Sequence, residues 1–359
     1  MATMNTFFIT GEQRSGTTLL SVLLSRHSQV CLGDEAIGFR LTACAGLLNE
    51  VLPYNAHHSV DDILSWLIKI DSNGRLAQFL DVENFANYPD VRSLVAGSVE
   101  KVLKANQKTL WGDKVPNMHY YLGDLLTLMP EAKFIHMVRD GRAVASSKLK
   151  RTNRSPYVTG QDWVDGNAKG LAHQKIIGKA QYKLVKYEAL LREPEDTLKD
   201  ICDFLAIDYE QVMTQADAST DDPDSYVKST FDTSRINSFE EELKPSVLKK
   251  LEQLQGPMLR HFGYDLVYPL PDKPHKSLSH VRRIWLNFVD NFKALFRRSK
   301  SVGMKSRKNV ELNVSFYQRL KKLLFYLTAE ILSERLYLRV TRRKKIRNVY
   351  MDEDLKNKA

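Results

Sequence analysis

The stretch Phe7-Phe8-Ile9-Thr10-Gly11-Glu12-Gln13-Arg14-Ser15-Gly16-Thr17-Thr18 decides the fold. Its apolar start reads as a buried strand, and Leu19, Leu20, Val22, Leu23 and Leu24 beyond it read as a helix. Between them lies a turn bounded by Gly11 and Gly16. Strand, loop and helix in that order aim backbone N–H groups from a helix N-terminus, where an oxyanion is welcome. The spacing Gly11-x4-Gly16 is that of a P-loop, but Thr17 stands where a nucleoside triphosphatase carries lysine. The loop therefore suits a phosphate-like group without the lysine that reaches β- and γ-phosphates. Its cation is Arg14, inside the turn, and Ser15, Thr17 and Thr18 add three hydroxyls. A glycine turn with no ligand is the competing reading; so many anion-binding groups in one loop argue against it.

Working outward, two more segments read as buried strands, Lys133–Val138 and Tyr182–Tyr187. Each is short and is followed by polar punctuation and then by helical periodicity. That alternation predicts an α/β fold, a three-layer, P-loop-like parallel sheet flanked by helices. Ligands of such folds bind beyond the carboxyl ends of the strands, where Arg14, Arg139 and Arg142 fall. Residues 40–110 read as mostly helical, with Asp61 and Asp62 capping Ile63–Ile68 and a further helix over Val91–Leu103. The stretch 216–238 is rich in Asp, Ser and Thr and reads as a long loop. Pro269-Leu-Pro-Asp-Lys-Pro274 reads as a linker. The expected division is a folded body over 1–268, a linker over 269–275 and a basic helical extension over 276–359.

The chain has 359 residues, enough for one large or two ordinary domains, and a net charge of +10. The charge is unevenly placed. From Asp272 onward there are 23 Lys and Arg against 8 Asp and Glu, while the first 271 residues carry 30 against 35. Cys31, Cys44 and Cys202 have no CxxC or metal-ligand spacing, so a disulfide framework and a metal site are not expected. No leader pattern precedes the first strand, and no run of 18 apolar residues occurs. The expectation is a cytoplasmic protein.

Val138-Arg139-Asp140-Gly141-Arg142 opens a second strand-to-helix turn, with Ser146, Ser147 and Arg151 on the helix that follows. Arg139, Arg142 and Arg151 form a cationic cluster suited to a phosphate monoester, and Ser147 adds a donor. Structural salt bridges at a helix start are the bland alternative. Paired with the Arg14 loop, the cluster makes two anion sites at neighbouring strand ends, which fit a nucleotide bearing both 3′ and 5′ phosphates. Asp34 and Glu35 follow Gly33, and Lys114 stands in Trp-Gly-Asp-Lys114-Val-Pro116. A carboxylate beside an anion loop can take a proton from an attacking hydroxyl. A lysine there can neutralise charge on a leaving oxygen. Singly, each reads as a surface group; together they make a case.

These residues carry a family resemblance. From about Phe7 to Tyr264 the chain resembles the sulfotransferases that use 3′-phosphoadenylyl sulfate, and within them the tyrosylprotein-sulfotransferase-like branch. Arg14-Ser15-Gly16-Thr17-Thr18 is similar to the family's 5′-phosphosulfate loop. Arg139 with Ser147 is similar to its 3′-phosphate motif, Arg151 and Tyr187 to further nucleotide-binding positions, and Lys114 in Lys-x-Pro to the transition-state lysine. His27-Ser-Gln-Val-Cys-Leu-Gly-Asp34-Glu35 resembles the segment of the catalytic base. Asp34 stands where close relatives have the first of two glutamates, so either Asp34 or Glu35 fills that role. Ser234 and Arg235 fall near a nucleotide-contacting segment. The resemblance implies in-line sulfuryl transfer from 3′-phosphoadenylyl sulfate to an acceptor hydroxyl or amine, with no metal. The implied acceptor is a saccharide, a lipid headgroup, a small alcohol or peptidyl tyrosine. The cysteine pairing and N-terminal anchor of the secretory members have no match.

The extension carries Val281, Ile284, Trp285, Phe288, Phe292, Leu295 and Phe296 at helical spacing, flanked by Arg282, Arg283, Lys293, Arg297 and Arg298. A second stripe holds Phe316, Leu320, Leu323, Leu327 and Ile331, and Arg342-Arg343-Lys344-Lys345 follows. Basic amphipathic stripes fit an anionic membrane surface, packing on the folded body, or a homodimer contact. Nucleic acid is not expected. The competing functions are a P-loop kinase-like phosphotransferase, against which Thr17 counts, and a non-catalytic nucleotide-fold protein held at a membrane by its extension. Trp66, Trp163 and Tyr157 read as core before acceptor-stacking groups.

Overall fold

In the computed structural model the residues described are 5–33, 79–89, 91–117, 122, 125, 126, 129–152, 154–215, 231–270, 278, 279, 282, 283, 285–287, 289 and 290. Asp34, Glu35, the Ile63–Ile68 run, Trp66 and the stripe beyond residue 290 lie outside them, as do most of the predicted 216–238 loop and of the predicted linker. The elements are, in chain order, β1 (Thr6–Gly11), α1 (Thr17–Ser25), β2 (Val30–Gly33), α2 (Val91–Asn106), β3 (Leu110–Lys114), β4 (Lys133–Val138), α3 (Gly141–Thr152), α4 (Pro156–Ile177), β5 (Tyr182–Lys186), α5 (Tyr187–Arg192), α6 (Pro194–Leu205), α7 (Phe239–Glu242) and α8 (Pro245–His261). They fall into two compact units. The first is Met1–Arg139, Gly166–Ala216 and Ser229–Thr233; the second is Asp140–Asp165, Asp217–Lys228 and Ser234–Ala359.

The first unit is built on a five-stranded, wholly parallel sheet in the order β2-β3-β1-β4-β5. Every residue of β1 is buried, as expected of a parallel strand covered on both faces, which therefore reads as an unbroken apolar run. Phe8, Phe134 and Tyr182 are register partners across β1, β4 and β5. Their rings stack in a row, with centroids 5.6 and 6.2 Å apart, and Trp111 meets Phe8 edge-on at 5.8 Å. Leu94, Val95 and Val99 of α2 close over this row.

The α/β sheet expected from the sequence is present, with two strands more than the three read there. β2 and β3 escaped because both are short and carry glycine, and β3 is also charged. Gly112 is nonetheless a strand residue for a packing reason: it pairs with Phe7, and a side chain at 112 would overlap the Phe7 ring. The helix over Val91–Leu103 is observed and runs to Asn106. Tyr187 leaves the predicted third strand and opens α5.

In the second unit α3, α7 and α8 pack around Ala143, Ala145, Phe239, Leu243, Leu248 and Leu251. Trp163 is fully buried edge-on against Phe262, and Tyr157 packs at the rim of the same cluster, so both serve the core. The start of the basic extension is held to the first half of α4. The Leu278 N–H donates to Gln161 Oε1 at 3.0 Å, Arg283 pairs with Asp162 and Asp165, and the Ser155 N–H donates to Asp290 Oδ2 at 2.6 Å.

Candidate anion-binding site

The loop after β1 is tight and strained in a useful way. Gly11, Arg14 and Gly16 have φ of 142°, 78° and 91°. The Ser15 N–H donates to Glu12 O at 3.0 Å and closes the turn; the Leu20 N–H donates to Gly16 O at 3.1 Å and starts α1. Only glycine fits position 16, because a Cβ would run into the Tyr187 ring as well as meet the left-handed backbone. Arg14 is not glycine, so holding it there costs about 1–3 kcal/mol, a sum that functional loops commonly carry. Ser15 is 1% exposed and its Oγ has no hydrogen-bond partner among the described residues. Thr17 is buried and Thr18 exposed at the first turn of α1.

Three other chain segments of the first unit lock onto this loop. Arg139, just beyond β4, donates from Nη1 to the Arg14 carbonyl at 3.2 Å. Its guanidinium also lies 4.4 Å over the Tyr187 ring, a cation–π stack, and that ring in turn packs on Gly16. On the other side, β3 pairs Lys114 with Ile9. The Val115 N–H donates to Ile9 O at 2.8 Å, and the Asn117 N–H to Gly11 O at 2.9 Å. Arg14–Thr18, Lys114, Arg139 and Tyr187 are thus gathered at the carboxyl ends of β3, β1 and β4 and at the start of α5. In the order β2-β3-β1-β4-β5 the chain runs from β1 toward β2 and from β4 toward β5, so the strand order reverses between β1 and β4, the switch point where α/β sheets hold ligands.

β2 ends at Gly33, opposite Asp113 and one position from the Lys114–Ile9 pair. Asp34 and Glu35 follow it in sequence. Asp113 is fully buried, and its carboxyl lies beside Gly33. Nothing in the sequence distinguished this carboxylate from a turn residue.

The second unit corrects one expectation. Arg142 is not part of a phosphate-binding cluster. It is 4% exposed and is held by Asp140, with Nε at 3.0 Å from Oδ1 and Nη2 at 2.6 Å from Oδ2, and by Glu252 through Nη1. Glu252 also accepts the N–H groups of Val267 and Tyr268 at 2.9 and 2.7 Å. Burial works against the Arg142 charge, yet the bonds to Asp140 and Glu252 hold its pKa above the ordinary value. The salt-bridge reading is therefore the right one for this arginine. Ser146 likewise donates to Glu242. Ser147 is half-buried in α3 and Arg151 is exposed near its end, while Ser234 and Arg235 are exposed in the short turn Thr233–Arg235. Among the described residues no group of three His, Cys, Asp or Glu side chains is placed to hold a metal ion.

A sequence model of the sulfotransferase family matches residues 6–211, more than half of the chain. The chain belongs to the sulfotransferase family. The matched span takes in the Arg14 loop, Lys114, Arg139 and Tyr187, so the candidate anion site of the first unit lies wholly within the sulfotransferase segment. A Caenorhabditis briggsae protein provisionally named a protein-tyrosine sulfotransferase is 27% identical over 283 residues, covering 74% of this chain and 91% of that one. The protein-tyrosine sulfotransferase of Drosophila melanogaster is 25% identical over 301 residues, covering 75% of this chain and 53% of the fly protein. Among solved structures, the sulfotransferase domain from the Synechococcus PCC 7002 olefin synthase is 23% identical, with a TM-score of 0.48, covering 74% of this sulfotransferase and 97% of that domain.

Proposed function

We propose that this sulfotransferase takes its sulfuryl group from 3′-phosphoadenylyl sulfate and passes it to an acceptor hydroxyl or amine. The observation that carries the reading is the Arg139–Arg14–Tyr187 interlock. It joins a P-loop-spaced turn that lacks the triphosphatase lysine to a second arginine at the neighbouring strand end. Two cationic positions fixed to one another suit a nucleotide with phosphates at both ends better than a linear triphosphate. The fit of the loop is supported by the buried Ser15 Oγ, which has no hydrogen-bond partner among the described residues, and by a Gly16 position that excludes any side chain.

When bound, the donor supplies an activated sulfuryl group. The chain's own residues do the rest. The loop amides, Ser15 Oγ and Arg14 would hold the 5′-phosphosulfate end, and Arg139 the 3′-phosphate. Ser147, Arg151, Ser234 and Arg235 are assigned to the nucleotide by family resemblance alone. Lys114, at the end of β3, would neutralise charge building on the equatorial and leaving oxygens. Such groups count most where charge develops in a loose transition state. Asp34 or Glu35, following β2, would take the acceptor's proton as the new S–O bond forms and the bond to the donor phosphate breaks. Losing that base removes a factor of about 10² to 10⁴ in rate. The relatives' names make a tyrosyl phenol the first acceptor to try, ahead of saccharides and lipid headgroups.

The test is calorimetry of the full chain with adenosine 3′,5′-bisphosphate and, separately, with ATP and magnesium. Binding of the first and not the second is expected. The reverse result would replace this reading with a kinase-like one, and binding of neither would favour a non-catalytic protein.

A further inference from the structure

We propose that the face around Trp285 docks the protein on an anionic phospholipid surface. The segment 278–290 is anchored at both ends and in the middle, through Leu278 to Gln161, Arg283 to Asp162 and Asp165, and Asp290 to the Ser155 N–H. A segment held so firmly is expected to turn its large apolar groups inward. Trp285 instead stands 61% exposed, the most exposed large apolar side chain among the described residues. Beside it in sequence Arg282 is exposed and forms no ion pair among the described residues, whereas Arg283 is spent on the two aspartates of α4. An indole presented next to a cation is the side-chain pair that settles at a bilayer's headgroup level.

Charge decides the occupant. The chain from Asp272 onward holds 23 Lys and Arg against 8 Asp and Glu. A second copy would bring a basic extension of the same sign, and the two extensions would repel. An anionic bilayer brings the opposite sign, with each Lys or Arg near it adding about 1 kcal/mol, roughly fivefold in partitioning. The anchor fixes where that attraction acts, because it holds the exposed tryptophan and the start of the basic sequence to one unit of the fold.

Flotation of the full chain with phosphatidylserine–phosphatidylcholine vesicles tests the proposal. The protein should float with these vesicles, fail to float with phosphatidylcholine alone, and detach as salt rises. Trp285→Ala should weaken partitioning about tenfold and Arg282→Gln about fivefold, with Arg282→Lys near wild type. Both positions are exposed, so thermal melts should be unchanged. On vesicle addition, tryptophan emission should shift to the blue in the wild type and not in Trp285→Phe. Failure of the wild type to float, or equal flotation of wild type and Trp285→Ala, would overturn the proposal. So would a self-associated wild type that Trp285→Ala converts to monomer without any vesicle binding; that result would give the face to a second copy.

Discussion

A hydrogen bond from the guanidinium of Arg139 to the main-chain carbonyl of Arg14, 3.2 Å long, joins the two cationic positions of the site. The bond runs to the residue whose backbone is the most unusual in the loop, at φ 78°. Arg139 therefore splints the loop in addition to its proposed role as a ligand group. Lysine in its place keeps the charge but loses the planar fork and the stack on Tyr187. Arg139→Lys should weaken adenosine 3′,5′-bisphosphate binding by about ten- to a hundredfold in calorimetry. Unchanged affinity would show that Arg139 is a structural residue only.

Gly16 and Tyr187 make a second, steric prediction. Gly16→Ala pushes a methyl group into the Tyr187 ring and strains the backbone at φ 91°. Bisphosphate binding should fall below detection. Gly16→Ala combined with Tyr187→Ala should recover part of it, because only the clash is relieved. A single variant that binds like wild type would show that the loop has room the structure does not.

Lys114 should separate binding from chemistry. Lys114→Ala is expected to lower kcat by about 10² to 10³ while donor affinity changes only a few-fold, as for other groups that meet developing charge. Parallel losses in both quantities would make it a binding residue.

Arg142 should behave in the opposite way from Arg139, three positions earlier. Removing one partner of a buried, hydrogen-bonded ion pair leaves the others uncompensated and costs about 3–5 kcal/mol. Arg142→Ala should therefore lower Tm sharply, while the fraction that remains folded keeps its bisphosphate affinity. A variant that melts like wild type and binds poorly would restore Arg142 to the phosphate cluster.

His136 predicts an acid limb. It is fully buried on β4, and burial first, then the charge of His173, pushes its pKa down to about 3. Burial also pushes the Tyr182 phenol up, and the Tyr182 hydroxyl and His136 Nδ1 share a hydrogen bond at 2.9 Å. In the unfolded chain the imidazole titrates near 6.5. Between that value and about 3 the unfolded state holds one proton more, so this stability is complete above pH 6.5 and is lost as pH falls through the window. The slope from this one group is about 1.4 kcal/mol per pH unit. Denaturant unfolding across that range should show it, and His136→Gln should remove it; an equal slope in the variant would assign the acid limb to other groups.

What could be read in the sequence was whatever is local. The strand, the glycine-bounded turn and the helix of residues 6–25 are consecutive, and their chemistry is written in their order. β4 and α2 carry long enough apolar patterns to be seen alone. β3 does not, because Leu-Trp-Gly-Asp-Lys looks like a turn until Phe7 is found filling the space over Gly112. The same limit governs the two arginines of the second turn. Arg139 and Arg142 look alike in sequence, and only Glu252, 110 residues later, marks Arg142 as structural. Asp113 was missed on the same ground: its burial depends on strands that pair from distant parts of the chain. The partial packing of the basic extension rests on Arg283 finding Asp162 and Asp165, which periodicity cannot show.

The left-handed residue in the first loop sets heat resistance against turnover. Replacing Arg14 by glycine would relax the main chain and remove the cation in one change. A selection scored only on thermal tolerance would be drawn to that substitution and, on the proposed function, would return a sturdier protein with a crippled donor site. Directed evolution of this enzyme therefore needs product formation in its screen from the first round.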